Sequence, residues 1–263
     1  MSASPADQSA AIWTVTTGVS DASHVVLVHG SLDRSAGLLK LSRRLDHRFC
    51  VTRFDRRGYG RSRPHAGPFN MEHQVEDLVQ IVLRTDAARR RVVIVGHSYG
   101  GNVALATADR YPNLVAGVIT FESPLSWMPW WPGGGAGGSA MAWRDDPEEA
   151  AERFMRRLIG DDRWDRLPPS SRADRRAEGP AMIGELTDLR QHAPWAAERI
   201  TVPVLALHGE HGKEHHRVGT EMLAEMLPNA SFATVPDAHH FGPNTHPDDL
   251  ASIVIEFVDG LGR

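Results

Sequence analysis

Ser98 stands in Gly96-His97-Ser98-Tyr99-Gly100, between the apolar β-branched run Arg91-Val-Val-Ile-Val95 and a small-residue helical stretch from Gly101 to Arg110. A serine hydroxyl is a weak nucleophile until its surroundings activate it. A strand, a sharp turn and a helix in that order begin to supply those surroundings. The G-x-S-x-G turn lifts the hydroxyl clear of a sheet and sets it over a helix N-terminus. The N–H groups there can stabilise negative charge developing on an attacked carbonyl. The glycines have a steric reason: a serine on so tight a turn is strained, and side chains at Gly96 or Gly100 would collide with neighbouring chain. The alternative is a glycine-rich turn with an incidental serine, and the flanking pattern favours the nucleophile.

Two other groupings could do chemistry. His211-Gly212-Lys213-Glu214-His215 matches H-x-x-E-H, a zinc-peptidase spacing that requires one continuous helix and further ligands. Gly212 and the strand end before it predict a loop entering a helix, so these histidines read as a rim of the mouth. No metal and no cofactor is expected. Cys50, the single cysteine, lies in the apolar run Phe49 to Phe54 and reads as a packing residue.

Lys+Arg 29 against Asp+Glu 33 gives a net charge of −4, with the signs interspersed, so no nucleic-acid-binding face is implied. Met1 to Ala11 is small and polar with no apolar core, and no run of eighteen apolar residues occurs. Neither a signal peptide nor a membrane span is predicted, and a cytoplasmic location is expected. The sequon Asn229-Ala-Ser231 carries little meaning in such a chain. The expected partner is a small-molecule substrate, with the chain a monomer or homodimer.

The elements that must hold Ser98 alternate along the chain. Val25–Val28, Cys50–Phe54, Val92–Val95, Val115–Phe121, Val202–Leu207 and Ser231–Val235 read as strands, with Ile12–Thr17 before them. Gly37–Asp46, Met71–Thr85, Gly101–Arg110, Glu214–Leu227 and Asp248–Asp259 read as helices. The alternation predicts an α/β fold: a mostly parallel sheet covered by helices on both faces. At 263 residues one main domain with an insertion fits. The segment from Pro124 to about Ile200 breaks the rhythm and holds six of the seven tryptophans, including Trp127, Trp130 and Trp131. It also contains Pro132-Gly-Gly-Gly-Ala-Gly-Gly138 and helical patterns at Pro147–Ile159 and Arg172–Leu189. Too long for a passive loop, it reads as a mobile lid.

Four signatures in order carry a resemblance. His29-Gly30-Ser31 closes the Val25–Val28 strand. Asp55-Arg56-Arg57-Gly58-Tyr59-Gly60-Arg61-Ser62 follows the next strand; then come the serine turn and, after the insertion, His239-His240-Phe241 six residues before His246-Pro247. Together they resemble the α/β-hydrolase superfamily over nearly the whole chain. The resemblance implies the α/β-hydrolase fold, with a helical cap inserted after the sixth strand of that fold. It places the core domain at residues 1–123 and 201–263 and the cap at 124–200. The N-terminal strands are shortened relative to the family.

The resemblance gives His240 as general base, with His239 in place of the usual glycine; His239 and His246 read as structural or surface residues. The N–H groups of Tyr99 and Ser31 would form the oxyanion hole, with Leu32 as the other candidate for the second donor. The acid departs from the family pattern. An aspartate usually stands three residues after the glycine of a strand-terminal His-Gly pair, but after His208-Gly209 that position is Gly212. Some haloalkane dehalogenases of the family carry the acid after the preceding strand, where this chain has Glu122. Glu122 is therefore the expected acid, with Glu210, Glu214, Asp237 or no acid as alternatives.

A serine rather than an aspartate at position 98 speaks against dehalogenase and epoxide hydrolase chemistry. The resemblance implies a serine hydrolase for a small to medium ester or lactone with an apolar part. Leu32, Trp127, Trp130 and Trp131 are expected at the pocket. Cleavage of a C–C or amide bond, cofactor-free perhydrolase chemistry and a low-turnover receptor remain open.

Overall fold

The computed structural model describes residues 12–84 and 91–262. Met1–Ala11 and the last residue of the Met71–Thr85 helix expected above therefore lie outside the described residues. Seven strands form one sheet: β1 (Thr14–Gly18), β2 (His24–Val28), β3 (Cys50–Phe54), β4 (Val92–His97), β5 (Val115–Phe121), β6 (Val204–Gly209) and β7 (Ala230–Val235). Their order is β1-β3-β2-β4-β5-β6-β7, with β1 antiparallel to β3 and every other pairing parallel.

All of β2 is buried, and its side chains alternate between two cores. Val26 and Val28 join one cluster, Val25 and Leu27 the other. That is the burial expected of a parallel strand covered on both faces. The first face is covered by α2 (Met71–Arg84), α3 (Tyr99–Arg110) and α9 (Glu214–Met226). The second is covered by α1 (Leu39–Leu45) and α11 (Pro247–Gly260), with the one-turn α10 (Gly242–Thr245) beside them.

The helical insertion follows the fifth strand of this sheet, not the sixth, because among the described residues β1 alone precedes β2. It contains α4 (Ala136–Met141), α5 (Pro147–Ile159), α6 (Asp161–Asp165), α7 (Pro169–Arg176) and α8 (Gly179–Gln191). The single helix expected over Arg172–Leu189 is thus two. Pro180 stands in the first turn of α8, where it lacks the N–H that a continuous helix would need. Around Trp164, Met182 and Leu186 the insertion has a small core of its own, which also takes in Leu32 and Tyr59 from the sheet-end loops.

The insertion is bound to the sheet through α8. Glu178, just before it, and Glu185 within it are both fully buried. Glu178 accepts from Arg34 Nε (2.8 Å), Gly60 N (2.9 Å) and Arg175 Nη1 (3.2 Å). Glu185 pairs with buried Arg56 and accepts from Tyr59 Oη (2.7 Å), Gln74 Nε2 (3.0 Å) and Ser31 Oγ (2.7 Å). A segment held by buried carboxylates is not free to lift as one lid, since separation would strand charges in a desolvated site. Among the described residues no helix is long and apolar enough to cross a membrane.

Candidate active site

Ser98 lies between β4 and α3 at φ 53° and ψ −124°, a left-handed φ that a serine adopts only where its neighbours impose it. They do so by proximity. A Cβ on Gly96 would come within 2.4 Å of the Gly100 carbonyl oxygen, and one on Gly100 within 2.3 Å of that of Val28. The Ser98 N–H donates to Phe121 O at 2.8 Å, so β5 holds the turn from one side. Tyr99 opens α3, where N–H groups lack partners one turn back. The loop bearing Ser31 abuts the same turn: a Cβ on Gly30 would lie 3.0 Å from Ser98 Cβ. Leu32, next in that loop, also has a left-handed φ of 51°.

His240 comes from the loop after β7. His97, beside the serine, donates from Nε2 to His240 O at 2.8 Å and so fixes the loop against the turn. Its other ring nitrogen is buried without a hydrogen-bond partner, 4.0 Å from an Asp33 oxygen. Burial, reinforced by the neighbouring His240, lowers His97 to about 3, so it works as a neutral donor.

Glu122 follows β5 at φ 49° and is fully buried. Its Oε2 accepts from His240 Nδ1 at 2.6 Å, and its Oε1 accepts from Gly209 N at 3.1 Å. Burial alone would raise Glu122, but the His240 hydrogen bond and the Gly209 amide outweigh it and lower it to about 2. A carboxylate on Nδ1 sets the proton there and leaves Nε2 as the acceptor. The missing aspartate has a spatial explanation: a Cβ at Gly212 would sit 2.2 Å from Glu122 Oε1. The position three residues after Gly209 is empty of side chain because the Glu122 carboxylate fills that space.

Among the described residues, neither Glu210, Glu214 nor Asp237 hydrogen-bonds or ion-pairs with His240. Glu210 accepts from Asp237 N (3.0 Å), Asp237 faces His211 (3.5 Å), and Glu214 is exposed at the start of α9. The H-x-x-E-H spacing is not realised on one helix, since His211 precedes α9. The groups spaced closely enough to share an ion are Glu122, His216 and His240, and the exposed Glu210, His211 and Asp237. In the first group the carboxylate is already engaged by His240.

Two cavities meet at the serine. One, of about 400 Å³, is lined by Ser31, Ser98, Tyr99, Trp131, Leu186, Arg190, His240 and the histidines at 211, 215, 216 and 239, among others. The second, of about 330 Å³, shares Ser31, Ser98, His240, Phe154, Leu158 and Phe241, and adds Leu32, Leu38, Met155 and Ile159. Leu32 therefore lines the second cavity and Trp131 the first, but Trp127 and Trp130 line neither. Trp127 packs edge-on against Trp195 (5.4 Å between ring centroids), because the start of the insertion turns back onto α3. Trp130 is 37% exposed and leans on Trp131.

The residues that sequence reasoning missed act behind those it named. His216 stacks on His240 at 4.8 Å and 23°, with Nε2 3.9 Å from Glu122 Oε2. Burial holds it well below the usual histidine range, so it adds no charge to compete for Glu122. Only its place in a run of histidines marked it in the sequence. Glu185 and Arg56 had no local signal at all.

A sequence model described as "Alpha/beta hydrolase family" matches residues 25–253. Over 251 residues the chain is 25% identical to 2-(acetamidomethylene)succinate hydrolase of Mesorhizobium japonicum, covering 89% of this chain and 87% of that protein. Among solved structures it resembles a thermophilic esterase from Thermogutta terrifontis (TM-score 0.74, 22% identity, 95% of this chain and 93% of that one). It also resembles the enol-lactonase from Burkholderia xenovorans (TM-score 0.73, 20% identity, 94% and 96%).

Proposed function

The chain belongs to the alpha/beta hydrolase family, and we propose that it hydrolyses a carboxylic ester or lactone of small to medium size through an acyl-enzyme on Ser98. The observation that carries this reading is the 2.6 Å bond from His240 Nδ1 to a buried carboxylate, with His240 and Ser98 lining one cavity. In this reading residues 124–200 are the cap, and residues 1–123 and 201–263 the core. The likeness to an esterase, an enol-lactonase and a succinate-derivative hydrolase supports carbonyl chemistry of this type.

The steps follow from the geometry. His240 Nε2 takes the Ser98 proton as Oγ attacks the carbonyl carbon, and the resulting imidazolium is stabilised by Glu122. The oxyanion accepts hydrogen bonds from the N–H groups of Tyr99 and Ser31. Collapse of the tetrahedral adduct breaks the carbonyl–oxygen bond, and His240 returns its proton to the leaving alkoxide. A water then attacks the acyl carbon while His240 takes its proton, and the acid leaves as Ser98 regains its hydrogen. No step calls on a cofactor. The glutamate reaches the imidazole through the space beside Gly212.

Labelling with a fluorophosphonate and hydrolysis of p-nitrophenyl esters of graded chain length test the reading. The wild type is expected to label and turn over. Ser98→Ala should lose labelling and about four to six orders of magnitude in turnover while keeping its melting temperature. Near-normal turnover in Ser98→Ala would end the proposal.

A further inference from the structure

We propose that the substrate carries a carboxylate on one arm, bound by Arg190 inside the larger of the two cavities that meet at Ser98. This rests on the ester hydrolase reading and narrows it to an anionic substrate class.

Arg190 is in the last turn of α8 and lines the cavity that contains Ser98 and His240. It is partly buried, and its one hydrogen bond among the described residues runs from Nη1 to Leu186 O at 2.9 Å. No aspartate or glutamate of the described residues pairs with it, and the lining of this cavity contains none. The other side chain of fixed charge in that lining is Lys213, so the cavity wall carries two cations and no acid.

The contrast with the second cavity is informative. There Arg34 and Arg175 are both paired with Glu178, Arg163 is exposed to solvent, and Asp33 adds a carboxyl group. The protein neutralises its two buried guanidiniums, Arg56 by Glu185 and Arg57 by Asp77. Half-buried Arg53 is unpaired among the described residues, like Arg190, but lines neither cavity, so the place beside Ser98 is what singles out Arg190. Partial burial of an unpaired cation is costly, and it pulls Arg190 down from the ordinary arginine range. Such a cost is expected where a ligand supplies the counter-charge.

The glycine run makes room for the guanidinium. A Cβ on Gly137 would lie 2.6 Å from Arg190 Nη2, so this head group rests against bare backbone. With Nη1 turned to Leu186, the fork keeps donors for a planar carboxylate, the geometry in which arginine binds best. The neighbouring 330 Å³ cavity, with Leu32, Leu38, Met155 and Ile159, takes an apolar arm on the other side of the same serine.

Paired esters that differ only in replacing a terminal methyl by a carboxylate test the proposal, with the carboxylate on the acyl arm in one set and the alcohol arm in the other. The wild type should favour the anionic member of at least one set by tenfold or more in kcat/KM, mainly through a lower KM. Arg190→Met should reduce that preference by on the order of tenfold to a hundredfold, the usual worth of hydrogen bonds to a charged group, and Arg190→Lys should restore part of it. Melting curves of the variants verify that each is folded. No preference in either set, or a preference that survives in Arg190→Met, would overturn the proposal.

Calorimetric binding of the same anionic esters to Ser98→Ala separates this failure from failure of the hydrolase reading. Affinity that weakens at least tenfold when Arg190→Met is added upholds the anion site even if nothing is turned over. Binding indifferent to Arg190 removes the anion site even if neutral esters are cleaved.

Discussion

The two ends of the cap are built on opposite principles. At its C-terminal end α8 carries buried Glu178 and Glu185, each accepting from several donors of the sheet-end loops. At its N-terminal end, residues 124–138 bring tryptophans and glycines, and an added Cβ at Gly133 or Gly134 would meet nothing within 4 Å. The anchored end fixes a loop at the site: Glu185 holds Ser31 through its hydroxyl at 2.7 Å, and the neighbouring Gly30 abuts the serine turn. The open end supplies wall. A buried charge network has one low-energy arrangement, whereas aromatic contacts over glycine can repack. The cap therefore reads as a fixed clamp with one adjustable side.

The largest effect is expected on the floor beneath both ends, where the acid itself has moved. Glu122→Gln should keep the fold and lose about four orders of magnitude in turnover, the usual cost of removing a triad carboxylate. Gly212→Asp cannot rescue that variant, because the substituted amide at position 122 still occupies the space a Cβ at 212 would enter. Glu122→Gly with Gly212→Asp removes the 2.2 Å contact and relaxes the left-handed φ at 122. Gly212 itself has no left-handed φ, and the Gly209 carbonyl oxygen, 2.9 Å from a Cβ there, is the one contact that must give. This pair should exceed Glu122→Gly alone by at least about tenfold in kcat. Full activity of Glu122→Gln would move the acid elsewhere.

Next in size is the anchored end. Glu185→Ala leaves Arg56 buried and unpaired, which costs about 3–5 kcal/mol, or on the order of 10 °C in melting temperature for a chain of this size. Trp130→Ala, at the open end, should cost less than about 1 kcal/mol. Equal melting temperatures for the two variants would erase the distinction between the ends.

The smallest effect separates two adjacent tryptophans. Trp131→Ala should shift acyl chain-length preference by about tenfold, the scale of a methylene or two in an apolar pocket, whereas Trp130→Ala should leave it within about twofold. Matching profiles over a graded ester series would show that the open end does not set specificity.

Much of this was legible in the chain before any coordinates. The Cys50–Phe54 and Val115–Phe121 strands and the Pro147–Ile159 helix have the bounds their patterns predict. Ser98 is marked by its turn, and Glu122 is what the family resemblance implies once Gly212 stands where its usual aspartate is expected. These are local signals: periodicity, a forced backbone angle, a glycine where an acid was expected. The break between α7 and α8 was also written locally, in Gly179-Pro180, and was overlooked inside a longer amphipathic pattern.

What only the tertiary structure decided is which groups meet across long separations. Nothing near Glu185 in sequence announces Arg56, 129 residues away, and nothing near Gly212 announces that Glu122 fills its side-chain space. Trp127, Trp130 and Trp131 share one composition signal, yet packing seats the first on Trp195 at the edge of the core, leaves the second exposed and turns the third to the cavity. Arg190 is an ordinary helix residue until the fold half-buries it in a cavity wall without an acid beside it. Side-chain type fixes what a group can do and local spacing fixes its element. Whether a charge is neutralised, or a side chain has room, depends on atoms that only the folded chain brings within a few ångströms.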